Sequence, residues 1–205
     1  MFKKYWKFFV IFWSVVLVGI IGVFVFFWLI SAGKLGFMPT FEELENPNNR
    51  FASEVYFADG PIMNRYFEKE NRKYIEYREI PQSVIDALIA TEDVRFYDHS
   101  GVDVRGLFRV AKGLLTANTS AGGGSTISQQ LAKMLFPRES DLNVFELAIR
   151  KFREWVIAVR LEKSYTKEEI LTMYLNKYDF LNLAVGISSA ADIYFQVPLD
   201  SLKVE

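Results

Sequence analysis

The sequence predicts a mainly α domain with a small β-hairpin, preceded by one transmembrane helix. Three observations support this fold class. An unbroken apolar segment lies near the amino terminus, two short β-prone runs are confined to residues 54–67, and apolar residues recur at helical spacing after Pro81. Of the 205 residues, 51% are hydrophobic and 24% are charged, which is the composition of a folded chain rather than a disordered one.

The transmembrane helix is predicted over residues 8–30, where 23 consecutive residues carry no charge. A helix of that length is about 34 Å long, and the hydrocarbon core of a bilayer is about 30 Å thick. Three lysines lie within residues 1–7, and three glutamates follow within residues 42–45. The positive-inside rule therefore predicts a cytoplasmic tail over 1–7 and an extracytoplasmic domain. The alternative is a cleaved signal peptide, because residues 31–33 are small enough for a cleavage site.

Residues 31–53 are rich in Gly, Pro and Asn and are predicted to be a juxtamembrane linker. The domain proper is expected to span residues 54–205. It begins with two β-prone runs around Asp59-Gly60, a dipeptide that favours a tight turn, so residues 54–67 are predicted to form the hairpin.

Six helices are predicted after the hairpin. Pro81 suits the first turn of one, Ser125 is predicted as the N-cap of another, and Thr166 to Glu169 form a capping box. Residues 116–124 are predicted to form a loop, because the apolar pattern stops there and three glycines follow. The first predicted helix begins at residue 81, and the other five cover residues 104–115, 125–136, 141–163, 166–176 and 186–195.

Composition excludes several classes of function. The chain has no cysteine and only one histidine, His99, which excludes disulfides, thiolate metal sites, a cysteine nucleophile and multi-histidine metal sites. Residues 1–34 carry four lysines and no acid, so the other 171 residues hold 20 bases and 25 acids. An acidic domain lacks the electrostatic footprint of a nucleic-acid-binding protein, and no nucleic-acid partner is expected.

The densest polar cluster lies within residues 90–103. On a continuous helix Glu92, Phe96 and His99 would share one face. Glu92 follows an apolar segment, where partial burial would suit it to act as a general base. The alternative is that Glu92 and Asp93 are solvated helix residues and that His99 is a helix-ending hydrogen-bonding residue.

A second cluster, residues 122–133, joins three glycines to a helix N-terminus, an arrangement that favours an anion such as phosphate. Thr126, Gln130 and Lys133 would share one face of that helix. The alternative is a flexible linker without a ligand.

A third cluster contains Arg150, Lys151 and Glu154. Its local positive charge within an acidic domain would suit a diphosphate ligand. The alternative is a surface ladder of ion pairs joining Glu146, Arg150 and Glu154, which lie four residues apart.

Taken together and in order, these segments resemble the peptidoglycan glycosyltransferases, glycosyltransferase family 51. This module occurs in class A penicillin-binding proteins and in monofunctional transglycosylases. The family motif E-D-x-x-F-x-x-H-x-G matches residues 92–101, G-G-S-T-I-[ST]-Q-Q matches 123–130, R-K-x-x-E matches 150–154, and K-x-E-I-L-x-x-Y-L-N matches 167–176. Four motifs in the same order, with compatible separations, are highly specific.

The resemblance implies a lysozyme-like helical domain that polymerises lipid II into β-1,4 glycan strands for cell wall synthesis. The reaction inverts the anomeric centre and releases polyprenyl diphosphate. Glu92 would be the general base that takes the proton from the acceptor's 4-hydroxyl. Glu154 would assist at the leaving diphosphate, directly or through a divalent cation.

The resemblance also assigns the other site residues to the substrate. Lys133 and Arg150 would neutralise charge on the departing diphosphate, and Thr126 and Gln130 would line the site. Asp93 and His99 would hold the Glu92 region in shape. The expected substrate-binding set is Asp93, Phe96, His99, Ser125, Thr126, Gln130, Lys133, Arg150 and Lys151.

No cofactor is required by the resemblance, although Mg²⁺ or Mn²⁺ at Glu154 is compatible with it. The implied partners are lipid II, the growing lipid-linked glycan, the bilayer, and a transpeptidase domain or other cell-wall synthesis proteins. The implied location is the bacterial cytoplasmic (inner) membrane, with the domain on the periplasmic side. An apolar patch facing the bilayer would be drawn from Leu114, Leu115, Met134, Leu135 and Phe136, unless these residues belong to the core.

Two departures from the family pattern keep alternatives open. After Asn176 the family usually shows Y-F-G, whereas this chain has Y-D-F-L-N-L-A-V-G, and the family module normally continues beyond the position of Glu205. The chain is therefore expected to be a fragment of a longer protein. The alternative functions are a non-catalytic membrane-anchored scaffold that binds lipid II or cell-wall partners, and a lysozyme-like enzyme that cleaves the same glycan.

Overall fold

A computed structural model describes residues 2–40, 53–56, 62–66, 71–116, 123–135 and 142–202. The first helix, α1, spans Phe2–Ser31, and its segment Tyr5–Ser31 has a mean hydropathy of 2.8. By length and composition this helix can cross a membrane. The prediction of a mainly α domain preceded by one such helix is confirmed.

The described part of the domain contains six further helices. They are α2 (Gln82–Glu92), α3 (Val104–Leu115), α4 (Ile127–Leu135), α5 (Val144–Ser164), α6 (Lys167–Lys177) and α7 (Ile187–Ala190). A π-helical turn, Ala191–Phe195, continues α7, and short 3-10 turns cover Tyr77–Glu79, Phe96–Asp98 and Leu199–Ser201.

Two small sheets accompany the helices. β1 (Ser53–Tyr56) pairs antiparallel with β2 (Ile62–Tyr66), which confirms the predicted hairpin, while its Asp59-Gly60 turn lies outside the described residues. β3 (Asn71–Arg72) pairs in parallel with β4 (Ala184–Val185). This second pair joins the start of the domain to the segment before α7.

The core lies where α4 packs against both α5 and α6. Its most deeply buried side chains come from these three helices and from the Phe96–Asp98 turn. They include Phe96, Ile127, Leu131, Leu161, Ile170 and Leu171. As predicted, Thr166 caps α6: its Oγ1 accepts a hydrogen bond from the Glu169 N–H. The carboxyl end of α6 is fixed by Asn176, whose side-chain amide pairs with both backbone groups of Ile75.

The carboxyl-terminal end of α1 is docked on α5. Phe26 and Phe27 contact the ring of Phe152, with ring centroids 5.4 and 5.7 Å apart. Arg160 donates hydrogen bonds to the Ser31 carbonyl at 2.8 Å and to the Pro39 carbonyl at 3.1 Å. The start of the predicted linker is therefore held against the domain.

Three local predictions are wrong. Thr126, not Ser125, caps α4, because its Oγ1 accepts from the Gln129 N–H. Glu92, Phe96 and His99 do not share a helical face, because α2 ends at Glu92 and a separate 3-10 turn follows. The helix predicted over 141–163 begins at Val144 instead, because Asn143 and Glu146 form a capping box at its amino terminus.

The predicted apolar patch is divided by the fold. Met134 and Leu135 are half-buried and pack against the core, whereas the Leu115 side chain is 89% exposed. The Leu114 side chain and all of Phe136 lie outside the described structure.

Candidate active site

A buried carboxylate organises the first motif. Asp93 follows directly after α2, and its side chain accepts hydrogen bonds from His99 Nε2 at 3.0 Å and from the Ile127 N–H at 3.1 Å. The His99 Nδ1 accepts from the Gly101 N–H, so the imidazole proton is placed on Nε2. Asp93 thereby ties the end of α2 to the amino terminus of α4.

Glu92, the candidate base, is the last residue of α2 and directly precedes Asp93. Its side chain is exposed, so the expected partial burial is wrong: the residue faces a groove instead of the core. Its Oε2 accepts a hydrogen bond from Gln130 Nε2 at 2.7 Å, and Gln130 Oε1 accepts one from the Tyr174 hydroxyl at 3.0 Å.

Two cavities meet at Glu92. The polar one has a volume of about 450 Å³ and is bordered by α2, α3 and the glycine-rich loop. Its walls include Arg95, Arg109, Ser125, Thr126 and Gln130. The other cavity, of about 780 Å³, lies between α2, α6 and the carboxyl-terminal segment, and its walls are mostly apolar. Thr91 and Glu92 line both cavities.

The wall of the polar cavity is held by an ion pair. Arg95 binds the Asp103 carboxylate through Nε at 3.0 Å and through a second guanidinium nitrogen. These hydrogen bonds lower the pKa of Asp103 below its usual value. Gly106 makes room for the pair, because a Cβ there would lie 2.5 Å from Asp103 Oδ2.

The second and third motifs are joined by a lysine. Lys151 Nζ donates to Ser125 Oγ at 2.8 Å and to Glu154 Oε2 at 2.9 Å. The alternative predicted from the spacing is an ion-pair ladder in which Arg150 pairs with Glu154. That pairing is wrong, because Glu154 pairs with Lys151. The Glu154 side chain is 12% exposed, so its charge is partly shielded from water and close to a cation.

Other predicted residues are placed differently. Thr126 is buried and its hydroxyl donates to the Gly101 carbonyl at 2.7 Å, so the side chain supports the site from below. Phe96 is fully buried in the core. Lys133 is exposed and Arg150 half-buried; neither lines the two cavities described above, and within the described ranges neither makes an ion pair.

Several residues of the site were missed by the sequence reasoning. Lys167 donates to the His99 carbonyl at 2.7 Å, pairs with Glu162 and lies 4.2 Å from the centroid of Phe96. Lys167 and Tyr174 lie inside the fourth motif, which by itself indicates no role for either residue. Arg95 has no comparable signal, because the motif leaves its position unspecified.

The described residues offer a poor donor set for a divalent cation. Glu154 is already paired with Lys151, and across the described ranges no three His, Asp or Glu side chains are grouped as metal ligands. A cation at Glu154 would have to displace the lysine.

The chain is similar in sequence to a known protein family and to curated penicillin-binding proteins. Residues 59–205 match the family model described as Transglycosylase. Penicillin-binding protein 1A of Escherichia coli (strain K12) is 38% identical over 167 residues, which cover 82% of this chain and 19% of that protein. The same-named protein of Pseudomonas aeruginosa is 37% identical over 82% of this chain and 20% of its own length. That of Haemophilus influenzae is 37% identical over 86% and 19%.

The chain thus spans about a fifth of the length of the curated relatives it matches. The family match covers more than half of the chain and includes all four motifs, together with the Asp93, Glu92 and Lys151 networks. The chain therefore belongs to the transglycosylase family, as its motifs predict, and carries the transglycosylase domain of a penicillin-binding protein.

Proposed function

We propose that this chain is a peptidoglycan glycosyltransferase that joins lipid II units into β-1,4 glycan strands. The observation that carries the proposal is the position of Glu92. Its carboxylate lies where a polar cavity meets an apolar one, and Gln130 holds one of its two oxygens. A base at such a junction can reach a proton on a molecule in one cavity while the reacting carbon approaches from the other.

The reaction follows from that placement. The second oxygen of Glu92 takes the proton from the acceptor's 4-hydroxyl. At the same time, the oxygen of this hydroxyl attacks C1 of the donor sugar. The bond from C1 to the diphosphate oxygen breaks on the opposite face, so the configuration at C1 inverts. The diphosphate leaves with the bonding electrons, and the base loses its proton to the surrounding water.

The leaving diphosphate is assigned to the polar cavity. Arg95 and Arg109 line this cavity, and Lys151 reaches its wall through Ser125. Cations held in a fixed position stabilise the negative charge that develops on a departing diphosphate. The acceptor is then assigned to the apolar-walled cavity on the other side of Glu92.

The lipid parts of donor and acceptor imply a site close to the bilayer. The end of the apolar span contacts Phe152, two residues from Glu154, so α5 lies at the level of the membrane surface in this proposal. Large apolar side chains on α3 and at the start of α5 are exposed beside basic residues of α3, which suits an interfacial helix. The exposed apolar set is Val104, Phe108, Leu115, Val144 and Phe145.

These features support a location on the outer face of the cytoplasmic membrane, with lipid II and the lipid-linked glycan as the partners of the domain. A transpeptidase domain or other cell-wall synthesis proteins would act on the product strand. In this proposal, the reaction requires no metal.

The proposal is tested by giving the detergent-purified chain two substrates in separate reactions. With lipid II we expect a polymer that a muramidase digests, together with release of one polyprenyl diphosphate for each bond formed. With preformed glycan strands we expect no cleavage. Cleavage of strands without polymerisation would favour a glycan-cleaving enzyme, and binding of lipid II without turnover would favour a scaffold.

A further inference from the structure

The candidate base is held by a residue from a distant part of the chain. Gln130 on α4 donates from Nε2 to Glu92 at 2.7 Å, and its Oε1 accepts from the hydroxyl of Tyr174 on α6 at 3.0 Å. The three side chains therefore form one hydrogen-bonded series that begins in the core and ends at the groove. Tyr174 is 3% exposed, whereas Glu92 is exposed.

The direction of this series is fixed by the chemistry of the phenol. Burial and the nearby Glu92 carboxylate raise the pKa of Tyr174, so its hydroxyl stays protonated and donates. Gln130 must then present Oε1 to the tyrosine and Nε2 to the glutamate. The reversed amide would place a carbonyl oxygen against a carboxylate, two acceptors with no proton between them.

A single hydrogen bond to an exposed carboxylate would hold Gln130 weakly. Ordering a glutamine side chain costs rotamer entropy that is comparable with the net gain from one such bond. The second hydrogen bond, donated by the Tyr174 hydroxyl, holds the Gln130 side chain in place. Tyr174 is itself fixed by burial and by stacking on Tyr178, with ring centroids 5.4 Å apart. One oxygen of Glu92 is thereby occupied in a constant geometry, and the other is left for the substrate.

We propose that Tyr174 is a positioning residue for the glycosyl transfer: its hydroxyl fixes the Gln130 amide, which orients the carboxylate of the base. The inference rests on the proposed function of Glu92. Tyr174 touches no reacting atom in this account. Its contribution is to the fraction of time that the base spends in the productive orientation, so it affects turnover more than substrate affinity.

The first test does not depend on activity. In protein labelled with ¹⁵N-glutamine, the side-chain amide signal of Gln130 is identified by its loss in Gln130→Met. In Tyr174→Phe we expect this signal to move towards that of a free glutamine side chain, with a lower heteronuclear NOE. Tyr97→Phe, which removes an exposed hydroxyl outside the site, should leave it unchanged. An unaltered Gln130 signal in Tyr174→Phe would overturn the proposal.

The second test is kinetic and uses a double-mutant cycle. We expect Tyr174→Phe to lower kcat for lipid II polymerisation about tenfold with KM within about twofold, and an unchanged thermal midpoint. The double variant Tyr174→Phe/Gln130→Met should lose no more kcat than Gln130→Met alone, because both changes break the same hydrogen-bonded series. Independent, multiplicative losses, or a wild-type kcat in Tyr174→Phe, would overturn the inference.

Glu92→Gln is measured in the same assay to separate the two claims. If Glu92→Gln is inactive while Tyr174→Phe is unimpaired, the positioning role fails and the base assignment stands. If Glu92→Gln retains activity, the proposed mechanism fails, and with it the reason for positioning this carboxylate.

Discussion

Gly101 is the residue at which three parts of the site converge. Its carbonyl accepts from Thr126 Oγ1, its N–H donates to His99, and its backbone lies against α5. Its φ of +96° is a conformation that side-chain-bearing residues rarely adopt. A Cβ would also lie 2.8 Å from backbone atoms of Ala158.

Gly101→Ala is therefore expected to destabilise the domain by about 2–4 kcal/mol, since backbone strain and overpacking act together. Chemical unfolding monitored by tryptophan fluorescence would measure the change. Gly22→Ala is the matched control, because nothing lies within 4 Å of its added methyl group. Equal stability of the two variants would contradict the packing described for the 93–103 segment.

The Arg95–Asp103 pair gives a pH-dependent prediction. The pKa of Asp103 is lowered in the folded protein, chiefly by the hydrogen bonds from Arg95. The pair therefore contributes stability above the unfolded carboxyl pKa of about 3.9, and this contribution is lost as the pH falls through the lower folded value. We expect Asp103→Asn to be less stable than the wild type near pH 7, with a difference that shrinks below about pH 4. Urea unfolding at several pH values tests this, and a constant difference would count against it.

Among the secondary-structure elements, α5 connects the membrane helix with the site. Phe152 of α5 contacts the rings of Phe26 and Phe27. Lys151 and Glu154 lie next to Phe152 on the same helix. Arg160, further along the same helix, holds the end of α1. Through this single helix, α1 and the Lys151–Glu154 pair are held in a fixed relation.

Phe152→Ala is expected to loosen the docking of α1 on α5, because it removes the ring that both Phe26 and Phe27 contact. The chain has no cysteine, so spin labels can be attached at Ser14→Cys and Lys163→Cys without other changes. We expect a narrow distance distribution in the wild-type background and a broader one with Phe152→Ala. Phe108→Ala, whose ring is exposed on α3, should not broaden it. An unchanged distribution with Phe152→Ala would show that α1 is docked by other contacts.

The elements predicted from the sequence differ in how well local signals define them. α6 was placed within a residue, because the Thr166 capping box and the apolar spacing agree. The spacing of Glu92, Phe96 and His99 is compatible with a helix that continues past Glu92. In the structure α2 ends at Glu92, and the Asp93 side chain accepts a hydrogen bond from the distant Ile127 N–H. Long-range bonds of this kind leave no periodic signal, which is why the support of the base could not be derived from spacing.

For the whole molecule, the sequence contained enough to identify the family, since four motifs stand in order. It did not predict which site residues meet. Lys151 reaches Ser125 and Glu154, whereas Arg150 and Lys133 line neither cavity. The choice among neighbouring cations depends on the rotation of α5 about its axis, which packing against α1 and α4 determines.

The orientation of the whole chain in the membrane is also testable. We expect Lys163→Cys to react with a membrane-impermeant maleimide in spheroplasts, since the positive-inside rule places the domain outside. Lys7→Cys should react only after the membrane is permeabilised. The opposite pattern would place the domain in the cytoplasm and contradict the proposed access to lipid II.

The role of Glu92 as the base for lipid II polymerisation can be tested by comparing three forms of the chain. Polymer formation is measured for the wild-type chain, for Glu92→Gln and for Glu168→Gln, an exposed glutamate on α6 outside both cavities. We expect normal polymer from the wild type and from Glu168→Gln, and a loss on the order of 10²–10⁴-fold in Glu92→Gln. Undiminished polymer from Glu92→Gln, or none from the folded wild-type chain, would contradict this role.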